Sequence, residues 1–167
     1  MIKKYLVKEN NMFTQKCILR KNTPELRNYL VSIGYKDCVP LNSVDNRKFG
    51  LLLNKKTICG VVQDEEFVFN LDTYLGLNPD IIDCGTNEEM FKAIAALRDD
   101  TDKHQWFIYN SMDCTVENLR DFYWFKCEED KVEDMMYWDC AYLNCTKATV
   151  EEIMEHFKNP ICQEIGD

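Results

Sequence analysis

The stretch KFGLLLNKKTICGVV, residues 48–62, has two short apolar segments on either side of Asn-Lys-Lys. Short apolar segments separated by a polar turn predict a β-hairpin, with strands at 48–53 and 57–62 around residues 54–56. Residues 66–71 predict a third strand, because Phe67, Phe69 and Leu71 alternate onto one face. This part of the chain therefore indicates antiparallel pairing.

Further strands are predicted outward from this hairpin. They lie at 12–19, 81–83, 106–109, 122–127 and 136–144, and an acidic loop at 128–134 separates the last two. Residues 115–120 are predicted to form a single turn.

Three helices are predicted from a capping residue followed by an apolar stripe. Thr23 with Pro24 begins the first, and Gly34 ends it. The capping-box patterns at 86–89 and 149–152 begin the other two, with Thr86 and Thr149 as the caps. The stripes predict core positions at Leu26, Leu30, Ile94, Leu97, Ile153 and Phe157.

These elements predict an α+β fold. Hairpins outnumber strand–helix–strand units, so we expect a mainly antiparallel sheet of about seven or eight strands with three helices. A chain of 167 residues is the size of one ordinary domain, and we expect a single compact domain over residues 1–167.

Charge divides the chain unevenly. Residues 1–60 hold twelve Lys/Arg and four Asp/Glu, whereas residues 61–167 hold eight Lys/Arg and twenty-five Asp/Glu. The net charge of the whole chain is −9. Such asymmetry either marks a partner-binding surface or lets the basic part pack against the acidic part. We expect the second arrangement, which leaves a mostly acidic surface that does not bind DNA or RNA.

Nine cysteines occur at irregular spacings, without a C-x-x-C pair. An odd, scattered set is not a disulfide framework, so all nine thiols are expected to be free in a reducing compartment. No apolar run is long enough for a signal peptide or a membrane span, and the longest clear run covers residues 49–53. We therefore expect a cytoplasmic protein without a membrane partner, either monomeric or weakly dimeric.

No motif identifies a reaction. Phosphate-binding loops, dinucleotide-binding glycines, nucleophile elbows and zinc-ligand spacings are all missing from the sequence. No catalytic residue or cofactor is assigned. The densest carboxylate cluster, Asp99, Asp100 and Asp102 beside Arg98, follows a predicted helix end; it is interpreted as a solvated turn, with a divalent metal site as the alternative.

Glu152 and His156 lie four residues apart on the last predicted helix and are interpreted as a solvated ion pair.

Aromatic residues crowd the last third of the chain. Trp106, Tyr123, Trp124 and Trp138 are the candidate binding residues, together with Arg98 and the three aspartates. Most aromatic side chains are expected in the core. Residues 122–125 are four aromatics in succession, so alternation sends two to each face and leaves one pair exposed or covered by a helix.

Several segments carry a resemblance to a known group. They are 83–102 (DCGTNEEMFKAIAALRDDTD) with 105–107 (QWF), 147–157 (KATVEEIMEHF), and the helix that starts with TPEL at 23–26 and ends in IGY at 33–35. The chain resembles small proteins encoded by tailed phages of gut Bacteroidales, including crAss-like phages. The resemblance implies a phage accessory protein acting inside an infected cell, and it supplies no activity or catalytic residues.

Three functions are consistent with these observations. The first is a non-enzymatic protein that binds a host protein with a basic surface, as in counter-defence or nucleic-acid mimicry. The second is a small-molecule or nucleotide binder with an aromatic stacking pocket. The third, which the sequence favours least, is a metal-dependent enzyme using Asp99, Asp100 and Asp102.

Overall fold

The structure is a computed structural model, and it describes residues 15–37, 50–54, 57–61, 76, 79–109, 124–135 and 145–158. Its helices are α1 (Pro24–Ser32), α2 (Glu88–Ala95) and α3 (Val150–Lys158), with one 3₁₀ turn at Val132–Asp134. Its strands are β1 (Lys16–Leu19), β2 (Lys36–Asp37), β3 (Gly50–Asn54), β4 (Thr57–Val61), β5 (Ile81–Asp83), β6 (Trp106–Tyr109), β7 (Trp124–Lys126) and β8 (Cys145–Lys147). No described helix is long and apolar enough to cross a membrane.

The predicted hairpin is the centre of a five-stranded sheet with the order β2-β4-β3-β1-β5. β3 and β4 pair antiparallel, and their last pair joins Asn54 to Thr57. Asn54 therefore belongs to the strand and not to the turn. β1 pairs antiparallel with β3 and parallel with β5, while β2 pairs parallel with β4.

The second sheet has three antiparallel strands in the order β7-β6-β8. β6 and β7 lie where the sequence predicts strands. The third strand, β8 at Cys145–Lys147, follows directly after the predicted strand 136–144. That predicted strand lies outside the described residues, as do the predicted strand 66–71 and the predicted turn 115–120. A pattern of apolar residues did not reveal β8, because it ends in Thr146 and Lys147.

The first helix begins and ends as predicted. The Thr23 side chain accepts a hydrogen bond from the Leu26 amide at 3.2 Å, and Pro24 follows as the first helical residue. At the other end Gly34 has φ +103°, which lets its amide and that of Tyr35 turn back to carbonyls of the last turn. This is the Schellman geometry for which glycine is favoured, because it has no Cβ.

The second helix starts one residue later than predicted. Asn87, not Thr86, is the N-cap: its Oδ1 accepts from the Met90 amide at 3.0 Å. Its Nδ2 donates to the Phe157 carbonyl at 2.9 Å, at the end of α3. A side-chain amide has an oxygen that accepts and a separate nitrogen that donates, so it can bond two groups that lie apart, whereas a hydroxyl uses one oxygen for both. This difference explains why Asn87, and not Thr86, caps the helix.

The third helix has the predicted capping box. The Thr149 amide donates to Glu152 Oε2 at 2.9 Å, and the Glu152 amide donates to Thr149 Oγ1 at 3.2 Å. Glu152, interpreted from sequence as an ion-pair partner of His156, is thus engaged with the backbone at the start of its own helix.

One cluster of buried apolar side chains joins the helices to both sheets. Five of the six predicted core residues are at most 5% exposed, and they are Leu26, Leu30, Ile94, Leu97 and Ile153. The sixth, Phe157, is half-buried and packs against this cluster with Trp106, Ile108 and Trp124 of the smaller sheet.

The α+β class is confirmed, and three helices with defined bounds lie in the part of the chain that the structure describes. Four of the six strand pairs are antiparallel. A single sheet of seven or eight strands is not shown, because the eight described strands divide into two sheets.

Candidate functional site

The predicted carboxylate cluster lies on the turn between α2 and β6, and an arginine holds Asp100, its second member. Nε and Nη2 of Arg98 donate to the two carboxylate oxygens of Asp100 at 2.8 and 2.7 Å. The same guanidinium donates to the Ile33 carbonyl at the end of α1, at 3.2 Å. This hydrogen-bonded fork lowers the pKa of Asp100 below its ordinary value of 3.8.

Asp102 is occupied by a second cation of the chain. The Lys147 ammonium donates to Asp102 Oδ1 at 2.9 Å and to the carbonyls of Arg98 and Thr101, both at 3.1 Å. The other carboxylate oxygen of Asp102 accepts the Val132 amide at 3.0 Å. Three oxygens thus surround the Lys147 ammonium on β8, and a metal ion bound at this position would need the same oxygens as ligands.

Asp99 is exposed and lies apart from these contacts. Among the described residues, no group of three or more His, Cys, Asp or Glu side chains has the geometry of a metal site. The three aspartates therefore act separately in the structure: Asp100 on Arg98, Asp102 on Lys147, and Asp99 towards solvent.

A buried glutamine, which the sequence did not reveal, supports this turn. Oε1 of Gln105 accepts the Arg98 amide at 3.0 Å, and its Nε2 donates to the Ala96 and Lys103 carbonyls. Gln105 is fully buried, so these bonds replace the water that would otherwise solvate the amide. The side chain closes the end of α2 and fixes the start of β6.

Two of the three candidate tryptophans, Trp106 and Trp124, lie under α3. Trp124 stacks on the His156 ring, with centroids 4.1 Å apart and planes at 9°. Trp106 contacts the Phe157 ring edge-on at 5.3 Å and lies 6.4 Å from Trp124. Two side chains of α3 therefore fill the space beside the two half-buried tryptophans. His156 is a packing partner in this cluster.

The alternation predicted for residues 122–125 occurs in its described part. Phe125 lies on the opposite face of β7 from Trp124 and stacks on Phe107, with centroids 5.6 Å apart and planes at 18°. Tyr123 and Trp138, the remaining candidate residues, lie outside the described residues.

The acidic loop, residues 128–134, is the most charged described surface next to this turn. It carries one lysine and five carboxylates, and all six are exposed: Glu128, Glu129, Asp130, Lys131, Glu133 and Asp134. Exposed charges of one sign repel, so such a loop needs other contacts to hold one conformation.

Backbone hydrogen bonds supply those contacts. The Asp130 carbonyl accepts the Asp102 amide at 2.9 Å and the Thr101 hydroxyl at 3.3 Å. Cys127, which precedes the loop, bonds to the same turn through its backbone. Its amide donates to the Gln105 carbonyl at 2.9 Å, and its carbonyl accepts the His104 amide at 2.6 Å. The start and the middle of the acidic segment are thereby tied to residues 101–105.

His104 lies at the base of the acidic loop in an unusual backbone conformation. Its φ is +64°, in the left-handed region that few residues other than glycine adopt. Its ring lies edge-on to Tyr29 of α1, with centroids 6.0 Å apart, and burial lowers the pKa of the imidazole. Burial also raises the pKa of Tyr29 to about 12.

The basic N-terminal part contacts the acidic part at two described ion pairs. Arg20 donates to Asp83 at 2.9 Å, and Lys21 lies 3.7 Å from Glu88. The other basic positions of the predicted hairpin region, Arg47, Lys48, Lys55 and Lys56, lie outside the described residues.

The described site is therefore an anchored acidic loop beside a turn in which Arg98 and Lys147 match the charges of Asp100 and Asp102. Comparisons with known proteins give no matching family model, no matching curated protein and no matching solved structure.

Proposed function

We propose that the chain is a non-enzymatic binding protein that presents the acidic loop to a basic surface of another protein. The observation that carries this proposal is the combination of five exposed carboxylates with a backbone that hydrogen bonds hold at Cys127, Asp130 and Val132. A loop that is already ordered loses little conformational entropy on binding. Its negative field accelerates encounter with a cationic partner and opposes encounter with nucleic acid.

The resemblance to phage-encoded proteins suggests where this partner is found. An accessory protein acting in an infected cell would bind a host protein, and a dense acidic surface suits a target that ordinarily binds nucleic acid. Counter-defence and nucleic-acid mimicry are therefore the proposed setting for the interaction, and the cytoplasm of the host is its proposed compartment.

Two observations favour binding to a protein over the alternatives from sequence. A metal-dependent enzyme needs free carboxylate oxygens, yet those of Asp100 and Asp102 are bonded to Arg98, Lys147 and the Val132 amide. A stacking pocket at Trp106 and Trp124 needs an open aromatic face, and side chains of α3 lie against both rings.

Affinity capture from a lysate of a Bacteroidales host, with charge-reversed variants, tests the proposal. The loop variant carries Glu129→Lys and Glu133→Lys. A control carries Glu151→Lys and Glu155→Lys on the exposed side of α3, so both have the same net charge. We expect wild type and the control to capture one stoichiometric basic partner, and the loop variant to capture none. Added salt should weaken the binding of that partner to wild type.

Thermal unfolding of each variant shows that it is folded before capture. A partner retained by the loop variant would assign binding to another surface. A small molecule that stabilises the protein without any partner would instead favour the nucleotide-binder alternative.

A further inference from the structure

The ring nitrogen Nδ1 of His104 is buried and has no hydrogen-bond partner among the described residues. It points towards the acidic loop, where Oε2 of Glu128 lies 3.7 Å away. The other oxygen of the same carboxylate lies 3.3 Å from the Lys126 ammonium. Glu128 is thus placed between one permanent cation and one group that becomes cationic on taking up a proton.

Four described residues surround this imidazole. Tyr29 of α1 meets the ring edge-on, Lys103 precedes it in the chain, and Lys126 and Glu128 face it from the end of β7. The amide of His104 donates to the Cys127 carbonyl at 2.6 Å, which holds the backbone that carries the ring beside the loop. Only Glu128 among these groups carries a negative charge near Nδ1.

We propose that His104 and Glu128 form a proton-dependent ion pair at the base of the acidic loop, so that proton uptake by His104 weakens the binding of basic partners. Both ring nitrogens carry a proton in the imidazolium, so Nδ1 then donates towards Glu128 Oε2. Proton uptake therefore adds one positive charge at the base of the loop and lowers the net negative charge that the loop presents. The second part of this inference rests on the proposed function, whereas the ion pair itself does not.

The ion pair is tested first by NMR titration of the imidazole signals. The chain has two histidines, so His104→Asn assigns the signals, and asparagine tolerates the left-handed φ of this position. We expect the pKa of His104 to fall in Glu128→Gln, because a neighbouring negative charge favours the imidazolium. Glu129→Gln, one position along the same exposed loop, is the matched control and should leave it unchanged. Equal values in the two variants would overturn the ion pair.

The effect on binding is tested with decalysine as the basic probe at low salt. Across the pH range in which the NMR titration shows His104 taking up its proton, we expect wild type to lose about two- to five-fold in affinity, and His104→Asn to lose clearly less. Equal losses would overturn the regulatory role while leaving loop binding intact. No binding of decalysine at either end of this range would contradict the proposed function, and the NMR titration would still decide whether the ion pair exists.

Discussion

The Lys147 ammonium lies 2.9 Å from Oδ1 of Asp102, which ties β8 to the turn that precedes β6. The same ammonium is bonded to the Arg98 and Thr101 carbonyls, so one side chain gathers three oxygens of a turn. The cation that this carboxylate holds is therefore supplied by the chain, and the turn serves as a support for the neighbouring acidic loop.

Lys147→Met should destabilise the fold by about 1–2 kcal/mol, because it removes charged hydrogen bonds from groups that are only partly exposed. Chemical denaturation measures the free energy of unfolding. Lys158→Met, an exposed position at the end of α3, is the control and should change it by less than about 0.5 kcal/mol. Equal losses in both variants would show that the Lys147 contacts contribute nothing specific.

Asp100 should stabilise the protein in a pH-dependent way through its Arg98 fork. Its folded pKa lies below the ordinary 3.8, so its contribution is present above about pH 4 and is lost as the pH falls through the folded pKa. Because the pair is partly exposed, we expect Asp100→Asn to cost at most about 1 kcal/mol at pH 7.

This cost should shrink when unfolding is measured at about pH 3. Asp99→Asn is the control, since it removes a carboxylate one position away and leaves the fork in place. A cost that is the same at both pH values would contradict the role assigned to the fork.

Leu97→Ala should cost about 2–5 kcal/mol, because Leu97 is 5% exposed and its removal leaves a cavity at the end of α2. Val31→Ala on α1 is the comparison, since Val31 is 48% exposed and should lose less than about 0.5 kcal/mol. Urea denaturation distinguishes them. A loss below about 1 kcal/mol for Leu97→Ala would mean that its side chain is not part of the core.

All nine thiols should react with an alkylating reagent under denaturing, non-reducing conditions, giving nine adducts by mass spectrometry. Three buried cysteines of the described part of the chain, Cys17, Cys84 and Cys127, have free thiols. Under native conditions the buried Cys17 should react slowly, because burial raises its pKa and limits access. Two or more native disulfides would contradict this prediction.

Single- and double-stranded oligonucleotides should not bind at about 0.15 M salt, because phosphate contacts need an uncompensated basic surface. Fluorescence polarisation measures this directly. Saturable binding at low micromolar concentration, lost in the Lys55→Glu, Lys56→Glu double variant, would identify the basic part as an exposed nucleic-acid site. It would also argue against the proposed partner.

Local patterns in the sequence were sufficient for the elements that depend on neighbouring residues. The Thr23 cap, the left-handed Gly34 and the capping box at 149–152 were all predicted, because each satisfies backbone groups within a few residues. The hairpin of β3 and β4 follows for the same reason, as its partner strand lies directly after the turn. The buried helix stripes were predicted because amphipathic periodicity records which face is apolar.

Only the tertiary structure decided how the charged and aromatic candidates are used. Asp102 pairs with Lys147, and Trp124 stacks on His156, although each pair is far apart in the sequence. No local sequence pattern predicts such pairs. The N-cap of α2 is Asn87 in place of the predicted Thr86, and its side chain also donates to the Phe157 carbonyl, seventy residues away in the sequence. The sequence by itself determined the fold class, both ends of α1, the start of α3 and the charge balance, since these depend on composition and short-range bonding. The division into two sheets and the internal matching of the carboxylates depended on packing between distant segments, which becomes defined only in the folded chain.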